Sequence, residues 1–359
     1  MSKVVVAYSG TLDTTICVYY LRVVKGMKVF TFSANIGQFD LLEPLVARAM
    51  DLGVTAAHVA DLRERFAREF IFPCVRARAV YEGQYHLLSA LARPLIIEEL
   101  VNIAREEDCE FIAHGSRGIG NDAVRFDNCI RYLAPDLKVI APLQELGLRT
   151  TQDDLAYAKQ HSIKYEQVKK ALYNVEENLW GVNIQLRGTD HNWTVPPRDT
   201  YILTTPLEQA PSKGSIVSVT FESGIPKKLN GEELPPVQII QQLNRLGGRH
   251  AIGRHDMIET RISGVKSREI YETPAADILH AALGALEAAI LDKETLHFKN
   301  PLSEKYADLV YEGKWFSPMR IGIDSFFEKI SKNITGTVTM SLMRGKVNII
   351  KVGSEYSQL

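Results

Sequence analysis

The chain has 359 residues, 42 of them Lys or Arg and 43 Asp or Glu, for a net charge of -1; 45% are hydrophobic and 24% charged. That length supports two domains and a large core. The charge balance excludes a general field for nucleic acid, and no apolar run reaches the length of a membrane span. Cys17, Cys74, Cys109 and Cys129 form no CxxC pair and have no zinc-ligand spacing. The N-terminus Met1-Ser2-Lys3 has no leader pattern. The expected location is cytoplasmic, with reduced thiols, and no residue is singled out as a metal ligand.

In chain order, Lys3 to Tyr8 reads as a buried strand, with Val4, Val5, Val6 and Ala7 in a row. A polar loop follows, then a helix from about Asp13 to Lys25. Met27–Ala34 reads as a strand, Leu41–Leu52 as a helix and Ala56–Val59 as a short strand. Leu87–Ala104 has helical spacing, and Phe111–Gly115 and Leu137–Ala141 complete the strands. Strands alternating with helices predict a parallel α/β sheet, which binds ligands at the carboxyl ends of its strands. Thr151–His161 reads as a helix capped by Thr151 with Asp154.

Beyond it the chain becomes turn-rich. Ser215–Phe221 reads as a strand and Phe221–Leu234 as a hairpin region turning at Asn230-Gly231. Val237–Arg249, Pro274–Leu291 and Pro301–Ser331 read as largely helical, and Val338–Val352 as a strand pair around Arg344-Gly345. The fold expected is α/β: a parallel, doubly wound sheet over residues 1–165, then an α+β domain over residues 166–359.

Two loops carry the chemistry. The first, Ser9-Gly10-Thr11-Leu12-Asp13-Thr14-Thr15, follows a buried strand and opens a helix. Its backbone N–H groups and helix dipole favour an anion, and Gly10 allows close approach. Ser9, Thr14 and Thr15 add hydroxyls, and Asp13 suits a helix cap or Mg²⁺. The Walker pattern is absent. Ser-Gly-x-x-Asp after the first strand resembles the PP-loop of ATP pyrophosphatases, which split the α–β phosphate bond and adenylate a substrate oxygen. The second loop runs from His114 to Asp122, with glycines at 115, 118 and 120 exposing backbone donors. Asn121 donates and accepts, Asp122 accepts, and Arg125 offers a fork for a carboxylate.

With both loops in place the chain resembles the argininosuccinate synthase family over nearly its whole length. The match runs through Ala34-Asn35-Ile36-Gly37-Gln38, Tyr81-Glu82-Gly83-Gln84-Tyr85 and Ala92-Arg93-Pro94-Leu95. It continues through Glu177-Asn178-Leu179-Trp180-Gly181, Lys266 to Pro274 and Trp315-Phe316-Ser317-Pro318. The resemblance implies a ligase that joins citrulline to aspartate. ATP, with Mg²⁺, adenylates the ureido oxygen and releases pyrophosphate; the aspartate amine then displaces AMP. It further implies that Ala7, Tyr8, Ser9, Gly10, Thr11, Leu12, Asp13, Thr14, Thr15, Ala34 and Gly115 face ATP. Asn121 and Asp122 face aspartate, and Tyr85, Asn121, Arg125, Glu259 and Tyr271 face the citrulline-like substrate. Asp13, Asp122 and Arg125 are the residues expected to act on the reaction.

The chain departs from the family pattern at several of these places. Thr11 stands for a glycine and Thr15 for a serine; a β-branched residue at Thr11 resists positive φ. Arg117 stands for threonine and Ile119 for lysine. Beside Ser89, Ala90 stands for a serine, as do Asn174 and Asn183. These changes point to a ligase with an altered amino-acid substrate. An ordinary argininosuccinate synthase and a non-catalytic paralogue are the alternatives. The family continues into a helical tail that crosses to a neighbouring subunit, whereas this chain stops at Leu359. The assembly expected is a homo-oligomer, dimer or tetramer, with no membrane or nucleic-acid partner.

Overall fold

The structure is a computed structural model that describes residues 1–39, 42–118, 120–165, 173–186 and 195–358. Ile119 lies outside the described residues, and the boundary read at 165/166 falls at the edge of another undescribed stretch, 166–172.

The N-terminal part is a five-stranded parallel sheet in the order β3-β2-β1-β4-β5. Its strands are β1 (Lys3–Ala7), β2 (Lys28–Asn35), β3 (Ala56–Asp61), β4 (Phe111–Ala113) and β5 (Lys138–Ile140). β1 lies in the middle and is apolar from Val4 to Ala7 because both its faces are covered. Val4 and Val6 pack with Ile16, Cys17 and Leu21, whereas Val5 packs with Phe30, Phe32 and Ile112 on the other side. The order reverses between β1 and β4, so the loops leaving these two strands flank a crevice at the sheet's carboxyl edge. Both chemistry-bearing loops leave from there.

The helix after β1 is Leu12–Tyr19, continued by a π turn over Tyr20–Val24. The capping box of the helix Thr151–Gln160 sits one residue earlier than its sequence suggests. The Thr150 hydroxyl accepts from the Asp153 N–H (3.2 Å), and the Asp153 carboxylate accepts from the Thr150 N–H (2.8 Å). The shift turns Asp154 inward, where its side chain is buried.

The C-terminal part holds two antiparallel sheets. One has the order β10-β9-β8-β13-β14, from β8 (Ser215–Glu222), β9 (Ile225–Leu229), β10 (Glu232–Glu233), β13 (Gly336–Met343) and β14 (Lys346–Gly353). The turns at Asn230-Gly231 and Arg344-Gly345 each place both residues at positive φ, as a tight hairpin demands. The second sheet has the order β11-β12-β7-β6, from β6 (Tyr173–Asn178), β7 (Gly181–Leu186), β11 (Arg254–Thr260) and β12 (Lys266–Glu272). Of these four strands only β7 shows a strand's alternation in its hydropathy, Val182-Asn183-Ile184-Gln185-Leu186. Their segments are rich in charged and amide residues, because one face meets a polar cavity.

Helices Pro236–Arg249, Pro274–Ile290, Lys293–Tyr311 and Pro318–Ile330 pack around these sheets. The third starts eight residues before Pro301, where the sequence places its beginning; Asp292 caps it by accepting the Thr295 N–H (2.8 Å), and Pro301 lies inside it. Glu272 at the end of β12 is fully buried. It accepts the N–H groups of Ile202, Leu203 and Thr204 at 2.8–3.0 Å, which fixes that irregular segment against the sheet.

Candidate functional site

The first loop is shaped by Gly10, at φ +75°. A Cβ there would press on the end of the Leu45 side chain, which can rotate aside, so it is chiefly the positive φ that calls for glycine. Thr11 is the N-cap of Leu12–Tyr19 with φ -72° and ψ 165°. The strain expected of a β-branched residue is therefore absent, because Gly10 alone makes the left-handed turn. Thr11 makes no side-chain cap. Its hydroxyl instead lies 3.0 Å from Ser9 Oγ, which in turn is 3.3 Å from Thr14 Oγ1. The result is a cluster of three hydroxyls at a helix start, a donor set that fits phosphate oxygens.

Tyr8 and Thr15 sit behind the loop, both buried. Burial pushes the Tyr8 phenol up, opposed by a hydrogen bond to Thr15. Leu12 and Ala7 pack at its base, and Ala34 lies at the carboxyl end of the neighbouring β2. The second loop closes on the first at Gly115, where an added Cβ would come within 3.0 Å of Thr14 Cγ2. Buried His114 accepts the Ser116 N–H (3.2 Å) through Nδ1, and burial lowers its pKa to about 4. It is thus a neutral strut at physiological pH.

Arg117 reaches back to the first loop. Its guanidinium holds both oxygens of Asp13, at 2.8 and 3.2 Å, and also pairs with Asp154. Burial pushes the Asp154 carboxyl up to about 6; Arg117 opposes this and Asp13 adds to it. The carboxylate of the first loop is thus engaged by Arg117 and does not fit the role of an open Mg²⁺ ligand.

Next to this triad lies a cavity of about 400 Å³. Tyr85, Ser89, Gly115, Arg117, Asn121, Asp122, Arg125, Asn174, Asn183, Glu259 and Tyr271 all line it. These residues come from the second loop, the starts of two helices, and strands β6, β7, β11 and β12. Strand register explains the convergence: Asn183 pairs with Glu176 on one side and Tyr271 on the other, and Asn174 pairs with Gln185. Ala90 is not brought to the cavity. It is buried in the helix Leu88–Glu106, its N–H 3.4 Å from the Tyr85 hydroxyl.

Asp122 sits between two guanidiniums, Arg93 at 2.7 Å and Arg125 at 3.0 Å. Burial alone would raise its carboxyl, but the two cations outweigh that and hold it well below the usual range. Arg125 is itself buried; its Nε donates to the Tyr311 carbonyl (2.8 Å) and its guanidinium lies 5.0 Å from the centre of the Tyr311 ring. Asn121 opens the helix Asn121–Leu133, donating to the Tyr311 hydroxyl (2.7 Å) and accepting the Ile262 N–H (3.0 Å).

The opposite wall is aromatic. Tyr85 stacks on Tyr271 with ring centres 4.4 Å apart, and Tyr81 stacks on Tyr311 at 3.8 Å. Buried Glu259 accepts hydrogen bonds from the hydroxyls of both Tyr271 and Tyr311. Asn183 donates to Glu269 (3.2 Å), which burial and the nearby Glu259 push upward in pKa. Sequence reading missed Tyr311, Glu176, Gln185, Arg261, Glu269 and the Arg93 pairing. Tyr311 ends a helix and the others are scattered charged or amide residues, so no local motif marks them.

The model of the arginosuccinate synthase N-terminal HUP domain matches residues 3–164, and that of the arginosuccinate synthase C-terminal domain matches residues 173–359. The argininosuccinate synthase of Thermoanaerobacter sp. (strain X514) is 42% identical over 355 residues, covering 99% of this chain and 87% of that protein. That of Pelotomaculum thermopropionicum is 42% identical over 357 residues (99% and 89%), and that of Desulfitobacterium hafniense (strain DSM 10664 / DCB-2) is 43% identical over 357 residues (99% and 89%). The chain belongs to the argininosuccinate synthase family.

Proposed function

We propose that this member of the family is an ATP-dependent carbon–nitrogen ligase that forms argininosuccinate from citrulline and aspartate. The supporting observation is one cavity in which Asp122, Arg125, Glu259 and the Tyr85–Tyr271 stack converge beside the hydroxyl cluster of the first loop.

A ureido oxygen is a poor leaving group. Attack of that oxygen on the α-phosphate of ATP forms an O–P bond, breaks the α–β bridge and releases pyrophosphate. The aspartate amine then bonds to the activated carbon, and the C–O bond breaks to release AMP. The first loop receives the triphosphate on the donors of Ser9 to Thr15, and Arg117 offsets the charge of Asp13 beside it. Arg125 offers its guanidinium to a substrate carboxylate, and Glu259, held by two phenols, suits an α-ammonium. Most of the catalysis is orientation and charge neutralisation. Mg²⁺ would enter bound to the ATP phosphates rather than to Asp13.

A second reading, a different amino acid in the citrulline place, rests on the wall formed by Asn174, Asn183, Gln185 and Glu269. Such amides and carboxylates discriminate strongly between hydrogen-bonding groups. Pyrophosphate release from ATP, Mg²⁺ and aspartate separates the two readings when citrulline is compared with other ureido and carboxylate amino acids. Release with citrulline is expected. Release only with another acceptor favours the second reading, and the absence of both release and ATP binding would sink the two together.

A further inference from the structure

Beside the Tyr85–Tyr271 stack lies a group of side chains that the ligase reaction does not use. His86 follows Tyr85, just before Leu87 turns into the helix Leu88–Glu106 at φ +63°. His255 stands on β11 in register with Tyr271. Asp277 lies in the first turn of the helix Pro274–Ile290. The two imidazoles place their Nε2 atoms 2.8 and 2.9 Å from the same Asp277 Oδ1. All three donor atoms lie within 4.8 Å of one another, and the imidazole rings are 5.5 Å apart at 69°.

We propose that His86, His255 and Asp277 bind a transition-metal ion of the Zn²⁺ class, which braces the aromatic wall of the cavity at its flank. Two imidazoles and a carboxylate suit Zn²⁺, Co²⁺ or Ni²⁺; Mg²⁺ and Ca²⁺ prefer oxygen alone. A tetrahedral ion with bonds of about 2.0–2.1 Å needs its donors roughly 3.3 Å apart. The two short contacts therefore need to open by about 0.4–0.5 Å, and the two imidazole donors, which lie within 4.8 Å of each other, to reach the same spacing by side-chain rotation.

Metal binding through Nε2 puts the ring proton on Nδ1; the buried His86 Nδ1 has no hydrogen-bond partner, so no acceptor rewards that tautomer and no donor forbids it. Asp277 and His255 keep 25% and 18% of their side-chain surface, so an ion can enter and a water can take the fourth position. His280, whose ring centre is 4.7 Å from that of His86, is the neighbouring imidazole outside the proposed set. The ion would tie three elements together at the point where Tyr85 and Tyr271 stack. Its role is structural, and it stands independently of which amino acid the cavity holds.

The test uses the full chain stripped by a chelator. Titration with Co²⁺ should give the visible absorption of a four-coordinate site that saturates near one equivalent. Zn²⁺ should displace the Co²⁺ and raise the melting temperature. His255→Asn and Asp277→Asn should each weaken Co²⁺ binding at least 100-fold and abolish the Zn²⁺-dependent thermal shift, whereas His280→Asn should retain both. Circular dichroism of each variant checks that the fold persists. No uptake beyond weak surface binding, or uptake unchanged in folded His255→Asn and Asp277→Asn, overturns the proposal. The three groups would then be a carboxylate shared by two imidazoles and nothing more.

Discussion

The first loop and the amino-acid cavity lie side by side but are built in opposite ways. The loop is local: seven consecutive residues, one left-handed glycine, and donors from a helix start and three hydroxyls. The cavity is assembled from side chains far apart in the chain, 186 positions in the case of Arg125 and Tyr311, and aligned by strand register and buried ion pairs. A backbone cradle tolerates changes that keep its turn, which is why Thr11 fits. A side-chain cavity depends on each partner, because every group removed leaves another buried and unpaired.

The largest expected effect therefore belongs to the cavity. Arg125→Ala leaves Asp122 with Arg93 alone and removes the guanidinium from the Tyr311 ring. Stability should fall by about 3–5 kcal/mol, read by urea unfolding, and kcat/KM should drop by roughly 10³-fold. A loss below about 1 kcal/mol would mean that Asp122 is not held as described.

A paired measurement separates the halves. Glu259→Gln keeps the shape of the side chain but removes its charge, and should raise the KM for citrulline by roughly 10- to 100-fold with ATP affinity unchanged. Gly10→Ala meets Leu45 and a positive φ; it should weaken ATP binding by about 10-fold, measured by calorimetry, and leave Glu259 and its phenols intact. Equal effects of both variants on both ligands would erase the distinction.

The contact between the halves gives the smallest effect. Asp154, with a pKa of about 6 in the folded chain, keeps a proton that the unfolded chain loses near pH 4. Its contribution is thus most favourable at low pH. Stability declines by on the order of 2 kcal/mol as pH rises from about 4 to 6. Asp154→Asn should remove that slope in urea unfolding measured across the window; an identical slope in both proteins would show that Arg117 keeps Asp154 ionised throughout.

The same contrast explains what the sequence reveals. The parallel sheet is legible because strands buried on both faces, such as Val4-Val5-Val6, need unbroken apolar runs, and because its loops are contiguous motifs. The sheet β11-β12-β7-β6 is legible only at β7, where apolar and amide residues alternate. Lys266–Glu272 carries four charged residues among seven, since Glu269 serves the cavity, Glu272 holds backbone N–H groups and Arg268 pairs with Asp256. Its role as a strand shows only once its partners are known. Thr150 and Asp154 teach a smaller lesson. Adjacent threonines and aspartates make two capping registers plausible, and only the burial of Asp154 against Arg117 decides between them.

The most direct test of the account follows the oxygen. Citrulline labelled with ¹⁸O in the ureido group is incubated with the protein, ATP, Mg²⁺ and aspartate, and the products are weighed by mass spectrometry. The account predicts argininosuccinate without label, unlabelled pyrophosphate and AMP carrying one ¹⁸O on its phosphate. Product formed with AMP unlabelled, or no product while ATP and citrulline both bind, would contradict it.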